Sequence, residues 1–594
     1  MSHIIHHDTQ HRSELRDGMH IDWDAPIPMD DGLSLRADIF RPTQEGQFPV
    51  LLSYGPYGKG LAFQEGYKTA WEHMLLKHPS AVTGTSNRYA NWEVVDPEKW
   101  VPHGYVCIRV DSRGAGRSPG YLSHNNARET ADIHQCIEWA SRQAWSSGKI
   151  GMNGISYYAS NQWRAAASRP PHLAAICVWE GWTDSYRDGC RHGGIVCSFR
   201  KNWQDLQVKT VQHGVGERGR INHLTGELVC GPETLSEEAL AANRENMWQE
   251  MLDREMMDDW YRERTADLSS IDIPLLSAAN WGGQGLHTRG NFEGWLGAAT
   301  SKKWLEVHGQ SHWAPFYDDW AVELQRRFFD HFLKGEDNGW EKQPRVHLKI
   351  RHPDERFELR HESEWPLART QWTNFYLNPS DMSLTPDTRE AVSTQQSAAK
   401  QLSYDAMGEG LLFKSQPFGQ VTEITGPSAL KIRISSSTVD ADLFAVIRLF
   451  DPSGQEVLFE GAMDPMTPIA QGWLRASHRK LDLNKTLPYR PWHSHDEKQA
   501  LEPGQAVDLD VEIWPTCIVV PVGYTIGLHL LGRDFDHGLS PARLSNVKHP
   551  MRGCGPFLHD DDIDRPPEIF HNKVTVHFDQ QALPYLLLPI IPSR

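Results

Sequence analysis

The sequence predicts a mostly parallel, doubly wound α/β sheet with a helical insertion, followed by an all-β domain. Three observations support this. Short apolar runs alternate with helical patterns in the first third of the chain. A polar helical segment containing several Trp and Met follows over residues 186–269, and after about residue 339 short alternating runs are separated by Pro, Gly and Asp. Continuous apolar runs are typical of strands buried on both faces, and strand–helix alternation is typical of parallel sheets.

The elements of the predicted sheet follow one another in chain order. Apolar or alternating runs predict strands, and apolar residues recurring at helical spacing predict helices. The predicted strands are Leu33–Phe40, Pro49–Tyr54, Tyr105–Val110, Lys149–Asn153, Leu173–Trp179, Pro274–Ala279 and Trp304–Val307. The predicted helices are Glu129–Arg142, Tyr157–Ser168 and Asp318–Leu333.

The remainder of the chain reads as a separate β domain. Short strands with turn residues between them predict a β-sandwich or jelly roll. The runs are Arg345–Arg351, Ala429–Ser435, Leu443–Phe450, Val507–Ile513 and Thr525–Leu531. We therefore expect a sheet domain over residues 1–185 and 270–338, a helical cap over 186–269, and the β domain over 339–594.

Composition narrows the class of protein. The 594 residues are too many for one hydrophobic core, so several domains are expected. The net charge of −17 argues against a nucleic-acid partner, because phosphate binding needs a concentrated basic face. We find no signal-peptide pattern and no apolar run long enough to cross a membrane. Eight scattered Cys predict reduced thiols, and these features together predict a cytoplasmic protein.

The segment from Asn153 to Ala159 carries the main chemical signal. Ser156 stands between a predicted strand and a predicted helix, where a sharp turn would expose its Oγ above the sheet edge. Gly154 supplies the small residue before it, but Tyr158 replaces the usual second glycine. A serine before a helix is also typical of a plain N-cap, so the string alone does not identify a nucleophile.

Neighbouring loops favour the nucleophile interpretation. Tyr57 follows a predicted strand, and loops at the carboxyl ends of parallel strands are where such folds place their sites. Its phenol can donate to an oxyanion, with the backbone N–H of Tyr157 as a second donor. His308 and His312 both follow the last predicted strand of the sheet. We favour His312 as the base because it lies further out in the loop.

Seven strings of the sequence stand out together: Pro56-Tyr57, Asp111–Gly120, Gly154–Tyr157, Asp184–Asp188, Gly472–Arg479, Pro503-Gly504 and Val511–Pro515. Jointly they resemble the cocaine esterase / X-Pro dipeptidyl-peptidase family of serine hydrolases over nearly the whole chain. The resemblance implies an α/β-hydrolase domain with a helical cap and a C-terminal jelly roll. It also implies Ser156 as nucleophile, Tyr57 and the Tyr157 amide as oxyanion hole, and His312 as base.

The catalytic acid departs from the family pattern. The family places an Asp in a G-W-x-D string after the cap, whereas Asn280–Gly283 reads N-W-G-G and offers no carboxylate. Glu180 directly follows the preceding strand, and adjacent strand ends lie about 5 Å apart. Because an anion must orient the imidazole, we predict Glu180 as the acid. Asp184 and Glu293 remain the second and third candidates.

The expected activity is hydrolysis of a small-molecule carboxylic ester through an acyl-enzyme. An amidase, an acylase or an X-Pro-type aminopeptidase is the alternative, and a non-catalytic binding protein on a hydrolase scaffold is kept as another class. Acyl transfer through a serine needs no cofactor. We also expect no metal site, since His493 and His495 share a strand face but have no third ligand nearby. We also predict a homo-oligomer.

Overall fold

A mixed sheet of eleven strands forms the first domain. The computed structural model describes residues 11–387, 400–543, 547–578 and 583–592. The strands before the β domain are β1 (Arg12–Arg16), β2 (Met19–Pro28), β3 (Ser34–Pro42), β4 (Phe48–Gly55), β5 (Val106–Asp111), β6 (Ser146–Ile155), β7 (Leu173–Trp179), β8 (Arg191–His192), β9 (Ile195–Val196), β10 (Leu275–Asn280), β11 (Lys303–His308), β12 (Val346–Arg351) and β13 (Phe357–Glu362). All except β8 and β9 join one sheet, in the order β1-β2-β3-β5-β4-β6-β7-β10-β11-β12-β13.

The centre of this sheet is parallel and its edges are antiparallel. Every pairing from β5 through β4, β6, β7, β10 and β11 to β12 is parallel. The β1–β2, β2–β3, β3–β5 and β12–β13 pairings are antiparallel. Alternate side chains enter two apolar cores, since Leu51 and Cys107 join one core while Leu52 and Ile108 join the other. The prediction of a parallel-rich sheet is confirmed. The sheet also continues past residue 338, because β12 and β13 extend it.

Helices cover both faces of the sheet. On one face, α4 (Ala127–Ser141) and α5 (Tyr157–Ala167) contribute apolar side chains to the core that contains Leu52 and Ile108. On the other face, α12 (Asp319–Phe329) contributes to the core that contains Leu51 and Cys107. The helices are α1 (Phe63–Gly66), α2 (Lys68–Lys77), α3 (Pro97–Trp100), α4 (Ala127–Ser141), α5 (Tyr157–Ala167), α6 (Phe199–Trp203), α7 (Glu237–Ala242), α8 (Met247–Asp253), α9 (Asp259–Glu263), α10 (Thr288–Gly297), α11 (Ala314–Tyr317), α12 (Asp319–Phe329) and α13 (Pro567–Phe570). Residues 186–269 hold α6 to α9 and the small β8–β9 hairpin, so this insertion is largely helical and irregular.

The C-terminal β domain has its own sheet and its own apolar core. Its strands are β14 (Gln371–Asn378), β15 (Ser383–Thr385), β16 (Gln401–Asp405), β17 (Leu411–Ser415), β18 (Thr422–Ser436), β19 (Asp442–Phe450), β20 (Glu456–Val457), β21 (Ala470–Arg475), β22 (Val507–Val520), β23 (Thr525–Leu531), β24 (Lys573–His577) and β25 (Tyr585–Ile591). The strand β18 pairs with both β22 and β25, so the pairings close into a ring. A register shift between Gly426 and Ser428 interrupts the long strand β18, and such bulges bend a strand.

Two further expectations can be compared with the described residues. All eight cysteines lie in the described ranges, where they are buried and free of disulfides. Among those same residues, no helix is long and apolar enough to cross a membrane.

Candidate active site

Ser156 occupies a strained turn between β6 and α5. Its backbone φ of 57° and ψ of −111° lie outside the regions that side-chain-bearing residues ordinarily adopt. The Ser156 N–H donates to the carbonyl of Trp179 at 3.1 Å, which ties the turn to the end of β7. Gly154 has a φ of 152°, and a Cβ there would stand 2.5 Å from the Cβ of Tyr158. Glycine at 154 is therefore required by both conformation and space.

His287 provides the imidazole beside the serine. Its Nε2 lies 3.0 Å from Ser156 Oγ, within hydrogen-bond distance. Both side chains are buried, and His287 precedes α10 in the loop that follows β10. Burial, aided by the neighbouring charge of His312, holds the pKa of His287 well below its ordinary value. The ring is therefore neutral near pH 7 and can accept a proton.

Glu180 lies behind this pair, fully buried at the end of β7. Its Oε2 is 2.7 Å from His312 Nδ1 and 3.9 Å from His287 Nδ1. Its Oε1 is 3.1 Å from His308 Nε2 and accepts from Asn280 Nδ2 at 3.2 Å. Burial opposes ionisation, but the charge of His312 and the histidine hydrogen bonds lower the pKa of Glu180 to about 2. Glu180 is therefore an anion at neutral pH.

A second histidine, His312, lies against the first. The rings of His287 and His312 stack with centroids 4.8 Å apart and an interplanar angle of 9°. His312 Nε2 is 3.0 Å from Glu93 Oε1, so this ring is held between two carboxylates. Burial alone would lower the pKa of His312, but Glu180 and Glu93 raise it to about 10. His312 is therefore cationic at neutral pH.

Glu93 is a buried carboxylate that the sequence analysis did not single out. Burial raises its pKa to about 7 despite the hydrogen bond to His312. Its Oε2 has no hydrogen-bond partner among the described residues. The Glu93 carbonyl also accepts from Ile155 N at 2.9 Å, which fixes this residue beside the serine turn.

The candidate residues from the sequence fall into two groups. Ser156, Glu180 and His312 belong to one cluster, but the imidazole at Ser156 Oγ is that of His287. Asp184 and Glu293 bind arginines instead: Asp184 contacts Arg187 at 2.6 Å, and Glu293 contacts Arg490 at 2.6 Å. The position of His287 offered one usable signal. Its loop follows β10, the strand after which the family pattern places its acid.

Tyr57 and Tyr157 pack against each other and against Trp203 of the helical insertion. The Tyr57 phenol oxygen accepts from Trp203 Nε1 at 2.9 Å and keeps its own hydrogen for donation. Burial raises the pKa of Tyr57, so the phenol stays protonated. The rings of Tyr57 and Tyr157 lie 6.0 Å apart in an edge-to-face contact. Tyr157 opens α5, and N–H groups in a first helical turn have no acceptor within the helix.

A buried serine on a strained strand–helix turn, with a neutral imidazole at its Oγ and an ionised carboxylate behind, defines the serine hydrolase class. Comparisons with known proteins agree. Residues 31–314 match the family model of the X-Pro dipeptidyl-peptidase (S15 family). Residues 338–546 match that of the X-Pro dipeptidyl-peptidase C-terminal non-catalytic domain.

Individual relatives span almost the whole chain. A CocE/NonD family hydrolase from Staphylococcus aureus is 32% identical with a TM-score of 0.80, covering 96% of this chain and 94% of that one. The cocaine esterase of Rhodococcus sp. is 25% identical over 86% of this chain and 90% of its own length. A putative Xaa-Pro dipeptidyl-peptidase of Bacillus anthracis is 20% identical over 86% and 83%. The chain belongs to the CocE/NonD family of hydrolases and is a serine hydrolase.

Proposed function

We propose that the protein hydrolyses carboxylic esters through an acyl-enzyme formed on Ser156. The contact that carries this proposal is the 3.0 Å approach of His287 Nε2 to Ser156 Oγ. A serine hydroxyl is a weak nucleophile until an adjacent base takes its proton. His287 is neutral and lies beside the Ser156 hydroxyl, so it can take the hydroxyl proton. Ser156 is then able to attack a carbonyl.

The reaction follows from the placement of the groups. His287 takes the hydroxyl proton as Ser156 attacks the ester carbonyl, and then protonates the leaving alcohol. His287 then takes a proton from a water molecule as that water attacks the acyl carbonyl, and returns the proton to Ser156 Oγ as the carboxylic acid leaves. The Tyr57 phenol and the Tyr157 amide donate to the oxyanion of each tetrahedral intermediate. Glu180, an anion 3.9 Å from His287 Nδ1, stabilises the imidazolium that forms.

We assign the base to His287 and a positioning role to His312. The resemblance to the family favours His312 as base, and that prediction remains the competing assignment. The bonds of His312 argue against it in this geometry, because both ring nitrogens are occupied by carboxylates. A protonated ring cannot accept a further proton. His312 would instead hold Glu180 in place with its charge.

The two assignments predict opposite mutant behaviour. His287→Ala is expected to slow labelling of Ser156 by a fluorophosphonate at least about 10³-fold, because the hydroxyl loses its base. His312→Ala is expected to slow labelling by less than about 10²-fold, since the Ser156–His287 contact remains. The measurement is the second-order labelling rate, with thermal unfolding showing that both variants are folded. The reverse order of effects would return the role of base to His312.

The salt bridges of the acidic cap residues favour an ester substrate over a peptide substrate with a free amino terminus. Such peptides need carboxylates that are available to hold the ammonium group. Glu250 and Asp258 both bind Arg254, at 2.9 and 2.8 Å, and Asp259 binds Arg262. These carboxylates are already neutralised by neighbours on the cap surface.

Glu93 favours a second candidate function. Its Oε2 accepts no hydrogen bond from the described residues, and it lies within the catalytic cluster. A substrate with a positively charged amino group, such as an aminoacyl ester or an X-Pro peptide, would find a carboxylate there. Comparing kcat/KM for p-nitrophenyl acyl esters with aminoacyl and X-Pro p-nitroanilides tests the choice. The ester proposal expects the acyl esters to be preferred, whereas preference for the anilides would favour the second candidate.

Tyr57→Phe should lower kcat by about 10²–10³-fold, because one of the two proposed oxyanion donors is lost. KM should change little, since the phenyl ring keeps its edge-to-face contacts with Tyr157 and Trp203. Steady-state kinetics on a p-nitrophenyl ester measures both constants. A matched control is Tyr67→Phe, whose ring packs against Tyr57 but which has no proposed catalytic donor role. Equal losses in the two variants would contradict the assignment of Tyr57.

We further infer that the first domain is an α/β-hydrolase domain and that the ring of C-terminal strands has jelly-roll topology. The order of the central strands and the bulged strand β18 support these assignments. The cytoplasmic location and the homo-oligomer remain predictions.

A further inference from the structure

Two histidines and a glutamate converge where α2 meets the β domain. His73 lies on α2, His78 directly follows that helix, and Glu460 belongs to the segment between β20 and β21. Nε2 of His73 and of His78 lie 2.8 and 3.0 Å from the same Glu460 Oε1. One possible ligand atom from each residue lies within 4.8 Å of the others.

We propose that His73, His78 and Glu460 form a binding site for a divalent transition metal, with Zn²⁺ as the best-fitting ion. Two imidazole nitrogens and one carboxylate oxygen are a donor set that zinc favours. Zn–N and Zn–O bonds of about 2.0–2.2 Å place tetrahedral donors roughly 3.3 Å apart. The two histidine–carboxylate contacts of 2.8 and 3.0 Å would open by a few tenths of an ångström to admit the ion, and the three ligand atoms already lie within 4.8 Å of one another. This assignment departs from the metal-free expectation of the sequence analysis.

Solvent access and an adjoining cavity allow a water molecule to serve as the fourth ligand of the ion. The His73 side chain is 26% exposed and that of Glu460 is 15% exposed, so an ion can reach them. A cavity of about 250 Å³ is lined by His73, Glu460, Trp313 and Met463, among others. It has room for a water molecule in the fourth position.

The site adjoins the backbone that positions the catalytic loops. Glu460 lies two residues before Ala462, whose carbonyl accepts the N–H of His312 at 2.9 Å. The N–H of Ala462 donates to the carbonyl of Gly282 at 3.0 Å, in the loop after β10. A bound metal would therefore join α2 to the segment that supports both loops.

Binding must be measured without interference from the catalytic cluster, because Glu180, His287 and His312 also offer closely spaced ligand atoms. The experiment therefore uses the His287→Ala protein, stripped with EDTA and titrated with Zn²⁺ by calorimetry. Into this background are placed His73→Ala, Glu460→Gln and, as a control, His172→Ala. His172 forms an exposed pair with Glu138 at 2.8 Å but belongs to neither candidate metal cluster among the described residues.

We expect one Zn²⁺ per chain in the background protein. His73→Ala and Glu460→Gln should each weaken binding at least about 10-fold, whereas His172→Ala should leave it unchanged. Co²⁺ in place of Zn²⁺ should give the visible absorption of a low-coordinate site, and both ligand variants should lose it. Absence of stoichiometric binding in the background, or unchanged affinity in His73→Ala, would overturn the proposal and leave the cluster an ion pair between two domains.

Discussion

Replacing Ser156 with alanine is expected to lower kcat by about 10⁶-fold while the protein stays folded. The reason is that Ser156 Oγ is the group that the described part of the chain places at His287 Nε2, so only weak residual catalysis by the oxyanion donors remains without it. Ester hydrolysis by the purified variant measures the effect, with highly purified enzyme to exclude traces of wild type.

A matched control is Ser168→Ala at the other end of α5. Ser168 donates its hydroxyl to the carbonyl of Ala165 and has no contact with the catalytic cluster among its described bonds. It should keep turnover within about twofold of wild type. Retention of more than about 1% of activity by Ser156→Ala would remove Ser156 from the role of nucleophile.

Glu180→Gln should lower kcat by about 10⁴-fold, the loss expected when a triad carboxylate becomes an amide. A neutral amide cannot stabilise the imidazolium on His287, and its NH₂ group cannot accept from His308 or His312. KM should change little, because Glu180 is fully buried behind the histidines. Steady-state kinetics on an acyl ester measures both constants.

The Glu293→Gln variant is the control for Glu180, since Glu293 was also a candidate acid but binds Arg490. It should keep nearly full turnover. Thermal unfolding of the Glu180→Gln and Glu293→Gln variants must also be measured, because the interactions that lower the pKa of Glu180 also stabilise the folded state. That contribution is present above the ordinary carboxyl pKa and is lost as pH falls towards about 2. A Glu180→Gln enzyme with near-wild-type turnover would exclude Glu180 as the acid.

Much of the first domain could be predicted from its apolar runs. Strands β4, β5, β7 and β10 lie within a residue or two of their predicted bounds, because strands buried on both faces have continuous apolar sequences. Strand β13 was missed, since Phe357–Glu362 is a partly exposed edge strand with a mixed pattern. Its pairing with β12 takes the first sheet beyond the expected boundary at residue 338.

The site was harder to predict than the strands. The contact of Glu180 with His312 could be anticipated, because both follow strands of one parallel sheet, with β10 between them. His287 was missed although its loop follows β10, where the family pattern places its acid, because a loop has no regular register that relates sequence position to spatial position. The same lack of register hid Glu93. Glu93 has a positive φ of 61° in the irregular segment before β5, and nothing in its sequence neighbourhood points to the histidines.

Reaction of the folded protein with a fluorophosphonate, followed by mass spectrometry of its peptides, tests the role of Ser156 most directly. We expect one covalent adduct, on Ser156, formed rapidly in the wild type, absent from Ser156→Ala and strongly slowed in both His287→Ala and Glu180→Gln. An adduct on another residue, or no adduct on folded wild-type protein, would contradict that role and favour a binding protein on a hydrolase scaffold.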